Sequence, residues 1–197
     1  MKNRGARKLE LALEARPEEV QKIKGAVCID LGSSHGGFAR TLLENEAKRV
    51  YCVDVAYGIL DYTLRIDPRV KPLERKNARN LDVSWFPDLM EGNEAERVYF
   101  TCDLSFISLR TVLSSVVQFL NASSLNHMDG IFLVKPQFED SRSTEKGILR
   151  DDAVREAIIE RTAKAAEELG FSTRGRFDLP AMPGKNLEVF LFLSWQR

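Results

Sequence analysis

Three features of this 197-residue chain predict an α/β fold, a mostly parallel sheet with helices on both faces. The first is the stretch from Val27 to Val55. An apolar run, Val27 to Asp30, ends in an acid, and Gly32, Gly36 and Gly37 follow as a tight turn. Phe38 to Ala47 then carries Phe38, Leu42 and Leu43 at helical spacing, and a second apolar run, Val50 to Asp54, again closes on an acid. Strand, glycine turn, helix and strand form a βαβ unit. The second feature is the return of that pattern downstream, where Arg97 to Asp103 and Ile131 to Val134 flank an amphipathic helix. The third is a tail with two apolar runs separated by a turn containing Pro and Gly.

Taken in order, residues 2–16 predict an amphipathic helix. Leu9, Ala12 and Leu13 lie on one face, Arg7 and Lys8 stand near its start, and Pro17 with the charged run after it breaks the helix. After Asp54, a helix is expected over Ala56 to Arg65 with Leu60 and Leu64 inward, and then a short strand over Val70 to Leu73. Residues 82–96 read as loop and broken helix around Trp85 and Phe86. Beyond the strand ending at Asp103, Ser105 and Ser108 offer caps to a helix whose apolar face is Leu109, Val112, Leu113, Val116, Val117 and Leu120. A polar link, residues 121–130, leads to the strand ending at Lys135-Pro136. Residues 138–150 lack periodicity and read as a mobile loop. Asp151 or Asp152 caps a helix with Val154, Ile158, Ala165 and Leu169 inward, stopped by Gly170. Strands near Phe171 to Arg176 and Glu188 to Trp195 pair as a hairpin, completing seven strands.

Length and composition fit one domain, a basic helical segment over 1–24 and a core over 25–197. Formal net charge is zero, which argues mildly against a free-standing nucleic-acid binder. Locally the balance shifts: residues 1–24 carry seven Lys/Arg against four acids, and residues 61–80 carry six against three. The three cysteines, Cys28, Cys52 and Cys102, lie in apolar runs and read as buried hydrophobes in a reducing compartment. With two isolated histidines no metal site is expected. No run of 18 apolar residues and no leader pattern is present, so a cytoplasmic protein is expected, without membrane contact.

Folds of this kind bind ligands outside the carboxyl ends of the strands, where Asp30, the glycine turn and Asp54 converge. The turn reads G32-S-S-H-G36-G37, neither the G-x-G-x-x-G of a dinucleotide site nor a phosphate loop ending in G-K-[ST]. An acid two residues before the first glycine suits a cofactor that lacks phosphates and carries positive charge, such as S-adenosylmethionine. Asp54 would then meet the ribose diol, with Asn77 and Ala78 near an adenine. Lys8, Asp103, Lys135 and Glu188 are either solvated charges or a cluster beside a methyl donor. In the second case the acceptor is a hydroxyl that must lose a proton and be held in line.

The motifs R4-G-A-R-K-L9, V27-C-I-D-L-G-S-S-H-G-G-F38, D103-L-S-F-I-S-L109, L133-V-K-P-Q-F-E139 and N186-L-E-V-F190 occur in that order. In them the chain resembles the hemolysin-A-like and FtsJ-type ribosomal RNA 2′-O-ribose methyltransferases. The resemblance implies a Rossmann-like class I methyltransferase fold and a catalytic tetrad of Lys8, Asp103, Lys135 and Glu188, with Lys135 as base or as stabiliser of the alkoxide. It assigns S-adenosylmethionine to Asp30, Gly32, Ser33, Ser34, His35, Gly36, Gly37, Phe38, Asp54, Val55, Asn77, Ala78 and the main chain at Asp103. His35 stands where the family commonly has threonine, and a local role for a ring nitrogen is expected there. The implied substrate is a cytidine ribose in ribosomal RNA or a ribosomal subunit, with Arg4, Arg7, Lys8, Arg65, Arg75, Lys76 and Arg79 expected at phosphates. The family's usual S4-like RNA-binding module would precede the Lys8 helix. Without it, RNA is expected to be reached through a partner protein or through the chain's own loops. The competing readings are a methyltransferase with another acceptor and a catalytically idle RNA- or protein-binding relative.

Overall fold

The computed structural model describes residues 4–90 and 97–197. Residues 2–3 of the expected first helix and 91–96 of the expected loop lie outside the described residues. The elements are α1 (Arg4–Ala15), α2 (Glu18–Ile23), β1 (Val27–Leu31), α3 (Gly37–Glu44), β2 (Arg49–Asp54), α4 (Tyr62–Arg65), β3 (Val70–Glu74), α5 (Pro87–Met90), β4 (Val98–Cys102), α6 (Leu109–Ala122), β5 (His127–Val134), α7 (Pro136–Glu139), α8 (Asp152–Glu168), β6 (Ser172–Asp178) and β7 (Val189–Gln196). The strands form one seven-stranded sheet in the order β3-β2-β1-β4-β5-β7-β6. Only β7 runs against the others, pairing antiparallel with β5 and β6.

Period-two alternation divides the apolar runs between two cores. Val27, Ile29 and Leu31 of β1 face α6 and α8, while Cys28 faces α1 and α3. Both faces are covered, which explains why these strands read as continuous apolar runs. On α1, Leu9, Ala12 and Leu13 are buried as their spacing predicts. Ser108 caps α6 and Asp151 caps α8, each by accepting backbone amides.

Four segments differ from the sequence expectation. The charged run after Pro17 forms α2, because Glu19 turns inward and is fully buried. The Tyr99 hydroxyl donates to Glu19 at 2.6 Å, and the Arg174 guanidinium holds both carboxylate oxygens. Only Tyr62–Arg65 of the stretch after β2 is helical, although Leu60 and Leu64 are buried as expected. β5 begins four residues early, within the polar link: Met128 is buried, and Asp129 is consumed by a 2.9 Å bond from Lys22. Residues 138–150 contain the end of α7, a 3-10 turn at Ser141–Ser143 and a bridge from Glu145 to Ile148. Asn186 anchors this segment, its side chain bonding Leu149 N and Gly147 O, each at 2.8 Å.

The buried Glu19 ties α2 to β4 and β6. Truncating it leaves the buried Tyr99 hydroxyl without its acceptor and takes from Arg174 one of its two acidic partners, the other being Asp129. Glu19→Ala is therefore expected to cost about 3–5 kcal/mol of unfolding free energy in urea titrations. A loss below about 1 kcal/mol would show that the network is not a structural tie.

Candidate active site

The parallel strands β1, β2, β4 and β5 all finish at one edge of the sheet, and the antiparallel β7 begins there. Register pairs Leu31 with Cys102, Cys102 with Phe132 and Val134 with Val189. Asp103, Lys135 and Glu188, each one residue outside its strand, are thereby brought to the same place. Lys8 arrives from α1, which crosses the start of α3 at close range. A Cβ at Gly37 would lie 2.7 Å from Ala6 N and 3.1 Å from Gly5, so only glycine admits this crossing.

The four side chains make a continuous ionic chain. Lys8 Nζ lies 2.7 Å from Glu188 and 3.0 Å from Asp103 Oδ2. Lys135 Nζ lies 2.6 Å from Asp103 Oδ1 and donates to Ser105 Oγ at 2.9 Å. No side chain of the four is more than 18% exposed, so these pairs are little screened. Burial works against ionisation of Asp103, but the ammonium groups of Lys135 and Lys8 outweigh it and hold the carboxyl below its usual range. Two lysines and two acids leave the cluster formally neutral.

A cavity of about 370 Å³ opens over this cluster, walled by Arg4, Ser105 and the glycine loop. Gly32 has φ +82°, and a Cβ there would fall 2.6 Å from the Asp103 carbonyl oxygen, so the loop lies flat against the end of β4. Ser33, Ser34, His35, Gly37 and Phe38 also line it. A second cavity, about 270 Å³, is lined by Asp54, Val55, Asn77, Ala78 and the segment 104–107, and Ser105 belongs to both. Asp54 fixes the glycine loop, accepting Ser34 N at 2.7 Å and Ala56 N at 2.9 Å on separate oxygens. His35 Nδ1 sits 3.2 Å from Ser34 Oγ, the local contact expected of it.

Two expected cofactor residues lie behind the wall. Gly36 is the left-handed cap of α3. Asp30 is 1% exposed; Thr101 Oγ1 donates to its Oδ1 at 2.8 Å, and its Oδ2 has no partner. Asp30 is thus inside the protein rather than facing a ligand, because strand alternation turns it into the packed layer. Burial pushes its carboxyl up to about 7, with the nearby Asp103 and Asp54 charges adding to the rise.

The cations expected at phosphates divide. Arg7 is paired with Glu10 and Glu14, and Arg65 with Glu74. Arg75 lies over the Tyr57 ring and Lys76 over Trp85, at 4.5 and 4.7 Å. Lys76 and Arg79 line the Asp54 cavity, Arg4 lines the Lys135 cavity, and Lys8 belongs to the ionic chain. Sequence pattern marks Ser105 only as a helix cap and gives Phe106 no role. Phe106 is 84% exposed with φ +64°, and its ring packs at a tilt against Phe138, centroids 4.9 Å apart. The signal available was its place inside D-L-S-F, next to a strand-end acid.

The sheet order, the single antiparallel strand and the glycine loop facing strand-end acids define a class I methyltransferase architecture. The chain belongs to the FtsJ-like methyltransferase family, which residues 1–195 match. It is 40% identical over 198 aligned residues to the 16S/23S rRNA (cytidine-2′-O)-methyltransferase TlyA of Mycobacterium tuberculosis, covering 98% of this chain and 68% of that protein. A candidate hemolysin of Streptococcus thermophilus superposes with a TM-score of 0.86 at 32% identity, covering 98% of this chain and 66% of the other. A S-adenosylmethionine-dependent methyltransferase of Mesorhizobium loti shares the fold alone, with a TM-score of 0.58 at 12% identity over 90% of this chain and 96% of that one. Among the described residues no helix is long and apolar enough to cross a membrane.

Asp30 carries a pH signature. Its folded pKa, about 7, lies above the unfolded value of about 3.9, so its contribution is fully present below pH 4 and is lost as pH rises through 7. Asp30→Asn removes that loss. The stability of the variant relative to wild type is expected to rise between pH 4 and 7.5 in denaturant titrations. A constant offset across that range would contradict the buried, protonation-coupled placement.

Proposed function

We propose that this chain is a S-adenosylmethionine-dependent RNA methyltransferase acting on a ribose 2′-hydroxyl, of a cytidine in ribosomal RNA or a ribosomal subunit, in the cytoplasm. The observation that carries the reading is the Glu188–Lys8–Asp103–Lys135 chain, all four of which line one cavity that shares Ser105 with the Asp54 cavity.

The second cavity fits the cofactor. Asp54 takes up the Ser34 amide, so the glycine loop presents a carboxylate where a pyrophosphate would need free N–H groups. Each Asp54 oxygen keeps acceptor capacity for a ribose hydroxyl. Bound there, S-adenosylmethionine supplies an electrophilic methyl on a sulfonium. As an ammonium, Lys135 has three N–H directions. Asp103 and Ser105 take two of them and leave one for an acceptor oxygen. In that form Lys135 orients the hydroxyl and stabilises the alkoxide as it develops; as the neutral amine it takes the proton itself. Asp103, gripping both lysines, sets their separation, and Glu188 balances Lys8.

Other acceptors fit less well. A base-carbon mechanism needs an exposed thiolate, yet Cys102 is buried and burial pushes its thiol up. An amino-nitrogen acceptor would want the proline-rich clamp that D103-L-S-F lacks. The exposed Phe106 ring at the cavity mouth offers a stacking face for a base. The naming of TlyA as a cytidine-2′-O-methyltransferase of 16S/23S rRNA supports the substrate class.

Lys135→Ala is expected to lower single-turnover methyl transfer to ribosomal subunits by about 10²-fold or more with little change in cofactor affinity. A rate near wild type would remove Lys135 from the reaction. Asp54→Ala should weaken S-adenosylmethionine binding by about 1.5–3 kcal/mol in calorimetry. Equal affinities would place the ribose elsewhere.

A further inference from the structure

Two strings stand out in this sequence, D103-L-S-F-I-S-L109 and L133-V-K-P-Q-F-E139. The functional reading uses Asp103, Ser105 and Phe106 from the first and Lys135 from the second, and gives no role to Phe138 or Glu139. In the structure the strings are clasped together at three points. Lys135 holds Asp103 at 2.6 Å and Ser105 at 2.9 Å. Phe138 packs against Phe106, the rings tilted by 44° with centroids 4.9 Å apart. Glu139 Oε1 accepts the Leu109 amide proton at 2.6 Å.

The last contact closes the clasp. Leu109 is the first residue of α6, and its amide is among those without an intrahelical partner. Asp103 N is tied to Leu31 O at 3.0 Å, so the segment 103–109 is held at its start by β1 and at its end by Glu139. Between these anchors Phe106 is kept at φ +64°, a conformation an aromatic residue does not adopt unless the surroundings impose it. A segment under such constraint relaxes when an anchor is removed, and Asp103 and Ser105 move with it.

We propose that Glu139 is a positioning residue for methyl transfer: by accepting the Leu109 amide it fixes the 103–109 segment, so that Asp103 and Ser105 meet Lys135 in working geometry. The contact needs an acceptor oxygen, not a charge. Burial pushes the Glu139 carboxyl up to about 7, against the opposing influence of the Leu109 amide and of Arg161 on α8. The carbonyl oxygen of a neutral side chain can serve equally.

The inference rests on the 2′-O-methyltransferase reading for its rate measurement but not for its structural one. Three variants separate the roles: Glu139→Gln keeps an acceptor in place, Glu139→Asp keeps the acid but withdraws it by one methylene, and Glu139→Leu keeps bulk without an acceptor. Single-turnover methyl transfer on ribosomal subunits should fall about tenfold or more in Glu139→Asp and Glu139→Leu and stay within about threefold of wild type in Glu139→Gln, given how steeply rate depends on placement. Cofactor affinity should hold within about twofold in all three, since no cofactor contact is touched. Exchange of the Leu109 amide should accelerate in Glu139→Asp and remain slow in Glu139→Gln. Full activity with unchanged exchange in Glu139→Asp would overturn the proposal, as would a Glu139→Gln variant as slow as Glu139→Leu. If Glu139→Leu does not fold, the Asp and Gln pair carries the test. If the wild type transfers no methyl group to RNA, the functional reading fails, and the exchange result alone decides whether Glu139 holds the segment.

Discussion

The Asp103 carboxylate bridges two ammonium groups, and much of the molecule is arranged so that it can. Lys8 on one oxygen comes from the first helix, and Lys135 on the other comes from the end of β5. Losing Lys8 would leave Glu188 without its cation, and losing Lys135 would leave two little-exposed acids on one lysine. The interaction therefore ties the position of α1 to the central strands and the site's charge to its packing. Glu188 completes the balance at Lys8, so the cluster as a whole is neutral and tolerates burial.

Holding that bridge demands that α1 be docked accurately from a distance. Two features far apart in sequence do this. At one end, Gly37 lets the start of α3 touch the backbone of Gly5 and Ala6, so α1 lies low enough for Lys8 to reach over the sheet edge. At the other, α2 is held by buried Glu19 against Tyr99 and Arg174. The first pair of helices is thus fastened at both ends, and the lysine between these fastenings has little freedom to leave its acids.

The cofactor side follows a different logic. Asp54 acts on the loop before it acts on any ligand, drawing in the Ser34 amide and presenting negative charge. A strand-end acid bonded in this way turns a glycine loop from an anion cradle into a site for a cationic, phosphate-free ligand. Asp30 adds to the rigidity beneath that loop from inside, through Thr101, rather than by contact with a ligand. Ser105 lines both cavities, so the two lie side by side at that residue.

The sequence alone was enough for the strands that lie between two helix layers, because burial on both faces writes an apolar run that no other element of that length explains. Its strand-end acids and glycine loop likewise marked the sheet edge where the cavities lie, and motif order singled out the four residues that form the ionic chain. What the sequence could not carry was anything decided by a partner distant in the chain. Polar letters concealed α2 and the first half of β5, since Glu19 and Asp129 are polar residues whose partners, Arg174 and Lys22, lie on other elements. Strand alternation turns Asp30 inward, and Arg7 and Arg65 sit in ion pairs with Glu14 and Glu74 that spacing does not announce. Periodicity is a local property and survives in one dimension. Pairing of charges, the approach of α1 to Gly37 and the clasp of Glu139 on Leu109 are distances between remote residues, and only the folded chain sets them.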